Sequence, residues 1–281
     1  MLPKIAILTD SGSDVPAEIA QDLEIFVVPL QVNYKDRSYL DGVDIDAQTV
    51  YDRLPIEIPT TSLPRGEDVL RVFQSMQAKG YTHVLAVVLS SGLSGTYNLL
   101  RLMRDELPLP LEVIDTKNIG IGSGLSVIKA ARLVKEGMGW DELLIKMEDV
   151  VKKTKVFFVL NTLEYLQKGG RIGKVTALVG YVLDLKPIIT CNEEGIYTTI
   201  SKARGRKTSI NRCMNVALEF AKDAPSITIG IVHGDAYEEM MNLKDVMQER
   251  VPQAKIFTGQ VSPALGVHTG PGLIGMGIQI D

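Results

Sequence analysis

The sequence predicts an α/β fold in two domains. An N-terminal α/β domain on a parallel sheet spans residues 1–155, and a C-terminal α/β domain with a mixed sheet spans residues 156–281. Three observations carry this. Unbroken apolar runs such as Val84–Leu89 read as strands buried on both faces, as in a parallel sheet covered by helices. In the first half these runs alternate with helical segments, strand–loop–helix, several times over. Near Lys155 the order changes: the turn NEEG, Asn192–Gly195, joins two apolar runs as a hairpin, which a purely parallel sheet does not contain.

Lys4–Leu8 is the opening strand and runs into TDSGSD, Thr9–Asp14, ahead of a helix with Pro16 near its start. Ile25–Val32 reads as a second strand and Asn33–Gly42 as a polar excursion ending in YLDG. Asp46 caps a short helix through Leu54. Thr60, Thr61 and Ser62 form a loop before Pro64. The helix after it carries Val69, Val72, Phe73 and Met76 on one face. Val84–Leu89 leads into SSGLSGT, Ser90–Thr96, and a helix from Tyr97. Leu111–Ile114 leads into a glycine-rich run and a helix, Ile119–Glu136, followed by the amphipathic helix Trp140–Lys152.

In the second half, Lys155–Leu160, Ile188–Thr190, Ile196–Lys202, Ile227–His233 and Lys255–Thr258 read as strands. Lys207–Ala221 and Tyr237–Arg250 read as helices, and Val175–Leu185 and Leu273–Ile280 as apolar stretches. In the first half the polar loops follow strands or open helices, so they share the sheet edge where ligands bind in such folds.

The 281 residues are 45% hydrophobic and 23% charged, with a net charge of −4, which speaks against nucleic acid as a partner. Cys191 and Cys213 offer neither a disulfide framework nor zinc spacing and are expected to pack as small apolar residues. The first residues lack the apolar core of a signal peptide, and no stretch is long enough to span a membrane. The expectation is a cytoplasmic protein without integral membrane association.

SSGLSGT packs four hydroxyls and two glycines into seven residues at a helix start. Glycines let backbone N–H groups approach a ligand, and a helix start adds unpaired N–H groups and partial positive charge. Such a loop suits a carboxylate or a phosphate; the same residue types also make an ordinary capped connection. No P-loop, no dinucleotide fingerprint and no GxSxG elbow is present. Asp10 and Asp14 read either as helix caps or as a carboxylate pair for a cation, and the histidines form no metal motif. His83 reads as a surface residue and His233 as structural. His268, read as part of a flexible glycine loop with the TGPG that follows, is the purposeful imidazole, and the only base within prospect for Ser94 as a nucleophile. Arg171, between glycines in KGGRIG, is free to reach an anion, or is simply exposed. RGRK, Arg204–Lys207, is a basic cluster or a solvated turn.

These motifs together resemble the DegV family. TDSGSD, YLDG, Thr61–Ser62 with Pro64, SSGLSGTY, an Asp-Thr with a glycine-rich run, LEYLQKGGRIG, LKPI, KARGRK and HTGPG occur in that order across residues 5–278. One departure is LPR at Leu63–Arg65, where the family usually reads QPS; it alters a wall of the expected site.

The resemblance implies a protein that holds a long-chain fatty acid between two domains. It implies ligand-binding roles for Thr61, Ser62, Ser91, Ser94, Gly95, Thr96 and His268, with the carboxylate at the hydroxyl loops and the tail in the apolar interior of the second domain. It also implies a separate kinase, resembling dihydroxyacetone kinases, that supplies ATP and metal and phosphorylates the bound acid; Arg171, Arg204 and His268 lie near the head group and support that step. No catalytic residue, metal or cofactor of the protein's own is implied. Two other functions stay open: a phosphotransferase or hydrolase using Ser94 and His268, and a regulatory protein whose lipid is a filler.

Overall fold

The computed structural model describes residues 3–178 and 184–281, the side chains of 176–178 excepted. In chain order the first half comprises β1 (Ile5–Asp10), α1 (Ala17–Asp22), β2 (Phe26–Val28), β3 (Gln31–Asn33), β4 (Ser38–Leu40), α2 (Ala47–Arg53), β5 (Thr60–Ser62), α3 (Gly66–Ala78), β6 (His83–Val88), α4 (Thr96–Met103), β7 (Leu111–Asp115), α5 (Ile121–Lys135) and α6 (Trp140–Lys152). The second half comprises β8 (Thr154–Val159), α7 (Glu164–Lys168), β9 (Leu185–Cys191), β10 (Tyr197–Arg204), α8 (Arg206–Phe220), β11 (Ile227–Gly234), α9 (Tyr237–Arg250), β12 (Lys255–Gln260), α10 (Pro263–Thr269) and β13 (Leu273–Ile280).

The first sheet is parallel, in the order β2-β1-β6-β7. Alternation along β1 shows why its strands are apolar throughout. Ala6 and Leu8 pack with Val69, Phe73 and Leu100 of α3 and α4, while Ile5 and Ile7 pack with Val127 of α5 and Leu143 and Met147 of α6. Strand order reverses between β1 and β6, so the loops after these two strands flank a crevice.

The second sheet is mixed, in the order β10-β9-β8-β13-β11-β12. Only β11 and β12 run parallel; the hairpin through NEEG pairs β9 with β10 antiparallel. One face carries Phe157, Ile229 and Met276 against α8 and α9. The other carries Val156, Phe158 and Val232 into a core shared with Leu30, Val50, Leu89, Ile121 and Leu265, residues from both halves of the chain. Cys191 and Cys213 are both buried, one on each face, and burial pushes the Cys191 thiol up to about 12.

Helix α5 lies between the two sheets and is buried nearly all round, which explains its weak periodicity. Glycines let it lie close. A Cβ on Gly230, in the middle of β11, would meet Ile121 Cγ1 at 2.1 Å, and one on Gly122 would meet Val156 Cβ at 2.7 Å.

Three readings of the sequence need correction. Ile25–Val32 is not one strand: β2 belongs to the parallel sheet, and β3 belongs to a third, antiparallel sheet in the order β4-β3-β5. Pro29 separates them, having no N–H for a ladder and a fixed φ. Thr60–Ser62 is the edge strand β5 rather than a loop. His268 sits in α10 rather than in the glycine loop after it. The apolar stretch Val175–Leu185 falls partly outside the described residues.

Candidate functional site

The crevice holds a cavity of about 210 Å³. Four parts of the chain bring polar groups to it: Thr61 and Ser62 on β5, Ser94 and Gly95 ahead of α4, Arg171 after α7, and His268 and Thr269 on α10. Leu63, Leu93, Ile119 and Leu265 supply apolar wall, with Tyr197 of β10 beneath.

The Ser94 loop is held from both sides. Ser94 N–H donates to Ser90 O at 3.0 Å, and the Ser94 hydroxyl accepts from Thr96 N–H at 3.3 Å. No side chain at Gly95 caps α4, so Ser94 does that work while lining the cavity. From the second half of the chain, Gly195 O accepts from Ser90 Oγ at 2.9 Å, so the NEEG turn packs on the loop.

Opposite lies the Thr61–His268 pair, with Oγ1 and Nε2 2.7 Å apart. His268 Nδ1 is buried without a hydrogen-bond partner. A stranded buried N–H costs more than a stranded lone pair, so we assign the ring proton to Nε2, donating to Thr61. The Thr61 hydroxyl then has its own proton for a ligand. Burial, helped by the Arg171 guanidinium, lowers the imidazole to about 4. Its ring resonances are therefore expected to stay constant from about pH 5.5 to 8 by NMR; a midpoint near the ordinary ~6.5 would show a solvated ring.

Not every expected residue reaches the cavity. Ser91 turns away: its N–H donates to Asp115 and its hydroxyl accepts from Lys117 Nζ at 3.1 Å. Thr96 is buried beneath Ser94, with the two hydroxyls 3.0 Å apart. Arg204 stands exposed at the end of β10, outside the lining. Arg171 lines the cavity and donates to Gly169 O at 2.8 Å. His268 hydrogen-bonds Thr61 and Ser94 pairs with Thr96, so the nucleophile–base pair of the enzyme reading is not formed.

Asp10 and Asp14 accept backbone N–H groups, as does Asp41 of YLDG. Asp10 takes Gly12 N–H and Leu89 N–H, each at 3.0 Å, tying β1 to the end of β6. Asp14 takes Ser262 N–H and Asp41 takes Ala264 N–H, both at 2.8 Å, so two carboxyl groups from the first half hold the start of α10. Burial pushes Asp10 up to about 7 and Asp41 up to about 6.

Tyr197 and Gly169 escaped sequence reasoning. Leu63 is the departure from the family's glutamine and is a wall of the cavity. Tyr197 closes its floor, edge-on to Phe158 at 5.2 Å. Gly169 lies against the His268 ring, where a Cβ would meet Nδ1 at 2.1 Å. The double glycine at 169–170 was the available signal. Below the floor is a smaller chamber of about 30 Å³, room for one or two waters, sharing Ile119, Tyr197, Leu265 and Thr269 with the cavity.

Comparison with known proteins agrees with this architecture. A DegV domain-containing protein from Clostridium perfringens is 42% identical over 279 residues, covering 99% of each chain. A fatty-acid-binding DegV family protein from Thermus thermophilus superimposes with a TM-score of 0.92 at 30% identity, over 99% of this chain and 100% of that one. The fatty acid kinase (Fak) B3 protein of Streptococcus pneumoniae, solved with linoleic acid, superimposes with a TM-score of 0.85 at 25% identity, over 99% and 100%. The family model described as "Uncharacterised protein, DegV family" matches residues 4–281, and the chain belongs to the DegV family.

Proposed function

We propose that the protein binds a long-chain fatty acid and presents its carboxylate to a separate kinase, resembling dihydroxyacetone kinases, for acyl-phosphate formation. One observation carries the reading: donors on two sides of a cavity, Ser94 and the His268-backed Thr61, face a space whose floor is apolar. The carboxylate sits between these hydroxyls and the N–H groups at the start of α4. The tail runs past Ile119, Tyr197 and Leu265, which the cavity and the inner chamber share, toward that chamber. Burying a tail of ~15 carbons is worth on the order of 10 kcal/mol before ordering costs, so the tail dominates affinity. The lipids bound by the Thermus and Streptococcus relatives support the ligand class, and the latter's name supports the kinase.

Mass spectrometry of an organic extract of the purified protein tests the first part. A stoichiometric long-chain fatty acid is expected; an empty protein or a nucleotide sinks the reading. Ser94→Ala and Thr61→Ala should each weaken binding roughly tenfold, the value of one hydrogen bond to a charged group. Arg171→Ala should keep most binding but lose acyl-phosphate formation with the kinase and ATP, because charge at the head group acts mainly as phosphate develops; Arg204→Ala should do the same by removing a charge from the exposed surface that meets the kinase. Equal losses of binding and turnover in these two variants would remove them from the phosphoryl step. His268→Ala should lose both, since its imidazole holds Thr61.

A further inference from the structure

The inner chamber is walled by Val156, Phe158, Val232, Leu273 and other apolar groups, by the hydroxyl-bearing Tyr197 and Thr269, and by one carboxyl, Asp14. Asp14 stands on left-handed backbone, φ 49°, where the chain turns after β1. Its Oδ1 accepts from Ser262 N–H at 2.8 Å. Its Oδ2 is buried with no hydrogen-bond partner. A Cβ on Gly120 would lie 2.9 Å from that oxygen, so the glycine at the start of α5 makes room for it.

Burial already raises the Asp14 carboxyl well above the usual carboxylate range, and only the N–H and hydroxyl of Ser262 favour its charged form. Asp10 and Asp41 act on Asp14 as like charges. Tyr51 of α2 and Tyr197 of β10, both within reach of its field, are driven further toward the neutral phenol. His233, at the end of β11, is itself shifted toward neutral and accepts from Ala236 N–H. The chamber, with room for one or two waters, is the open space beside the Asp14 carboxyl, and an acyl chain filling it leaves none for water. An ionised carboxylate left against hydrocarbon neutralises rather than bear the desolvation cost.

We propose that Asp14 makes lipid loading proton-linked: an acyl chain that fills the inner chamber converts the Asp14 carboxylate to the neutral acid, with one proton taken up from solvent per chain bound. The proton adds to Oδ2, while Oδ1 keeps its bond from Ser262 N–H. The Ser262 hydroxyl, beside the Asp14 carboxyl and otherwise without a partner, favours the charged form as a donor and is free to turn and accept from the new O–H. Over the pH range where Asp14 is charged in the empty protein, affinity then rises by up to about tenfold for each unit the pH falls.

This inference rests on the lipid-binding reading, and calorimetry separates the two. Delipidated protein is titrated with dodecanoate below its micelle concentration, in paired buffers of different ionisation enthalpy, between about pH 6 and 9. The expected result is uptake approaching one proton per lipid within that range, falling to near zero in Asp14→Asn. Asparagine keeps a carbonyl acceptor for Ser262 N–H and tolerates left-handed backbone, and the ligand's own ionisation is common to both proteins. Binding without uptake in the wild type, or unchanged uptake in Asp14→Asn, overturns the proposal and leaves lipid binding standing. Absence of any dodecanoate binding overturns both. If Asp14→Asn does not fold, Asp10→Asn and Asp41→Asn replace it: uptake kept in both supports the assignment, and uptake lost in either overturns it.

Discussion

Gly169→Ala is expected to lose lipid affinity by at least roughly tenfold, as much as removing a ligand-binding hydroxyl, although residue 169 does not line the cavity. The backbone is not the obstacle: φ at Gly169 is −78°, open to any residue. The obstacle is the imidazole, since the new Cβ would lie 2.1 Å from His268 Nδ1 and 2.8 Å from Cε1. The ring is buried and held at its other edge by Thr61, so it cannot retreat without giving up the 2.7 Å bond. Overpacking of this kind also costs about 1–3 kcal/mol of stability. Gly170→Ala is the control. Its φ is +69° but nothing lies within 4 Å of the added carbon, so it pays only backbone strain of about 1 kcal/mol and should bind lipid normally. A lipid titration beside thermal unfolding reads both effects. Wild-type affinity in Gly169→Ala would show that His268 does not serve the ligand.

The largest loss of stability is expected for Gly195→Ala. Here three costs coincide. Residue 195 has φ +74°, where alanine is strained. The new Cβ would sit 1.8 Å from Ser90 Oγ and 3.2 Å from Lys117 Cα, one of them backbone. Displacing Ser90 also breaks its bond to Gly195 O. Together these come to about 3 kcal/mol or more, lowering Tm by roughly 6 °C or beyond. Gly80→Ala has similar backbone, φ +77°, with nothing near the added carbon, and should lose only about 1 kcal/mol. Equal losses in the two variants would mean that the NEEG turn does not press on the hydroxyl loop.

The parts of this protein legible in its sequence are those set by local pattern. Val84–Leu89 announces a buried strand because both its faces meet helices, and SSGLSGT, whose Ser94 and Gly95 line the cavity, stands out because hydroxyls and glycines cluster there. The short elements were illegible for a physical reason. With three residues each, β3, β4 and β5 are too short to display a period, and they are held by pairing between segments distant in sequence. Helix α10 hides in the same way: all seven of its residues are buried, so no polar face marks it as a helix. Resemblance placed Arg204 near the head group, but β10 carries its exposed end past the cavity, a matter of strand length that motifs do not encode. The partnership of Asp14 and Asp41 with α10 joins residues 248 and 223 positions apart, beyond any window of periodicity.

The place of β13 in its sheet has a consequence for how the molecule comes into being. The strand lies between β8 and β11, so β8, β9 and β10 have no ladder to β11 and β12 except through it. A chain growing from the ribosome therefore carries two unjoined fragments of sheet until residues 273–280 emerge. The same late segment delivers α10, whose His268 pairs with Thr61, 207 residues earlier. Contacts of that span are slow to form, because the loop must close before they are rewarded. The parallel sheet and its helices draw only on residues up to 152 and are free to fold first. Until the late segment docks, the apolar face of α5 that meets β13 stays open to solvent, and in that interval the nascent chain is most exposed to aggregation.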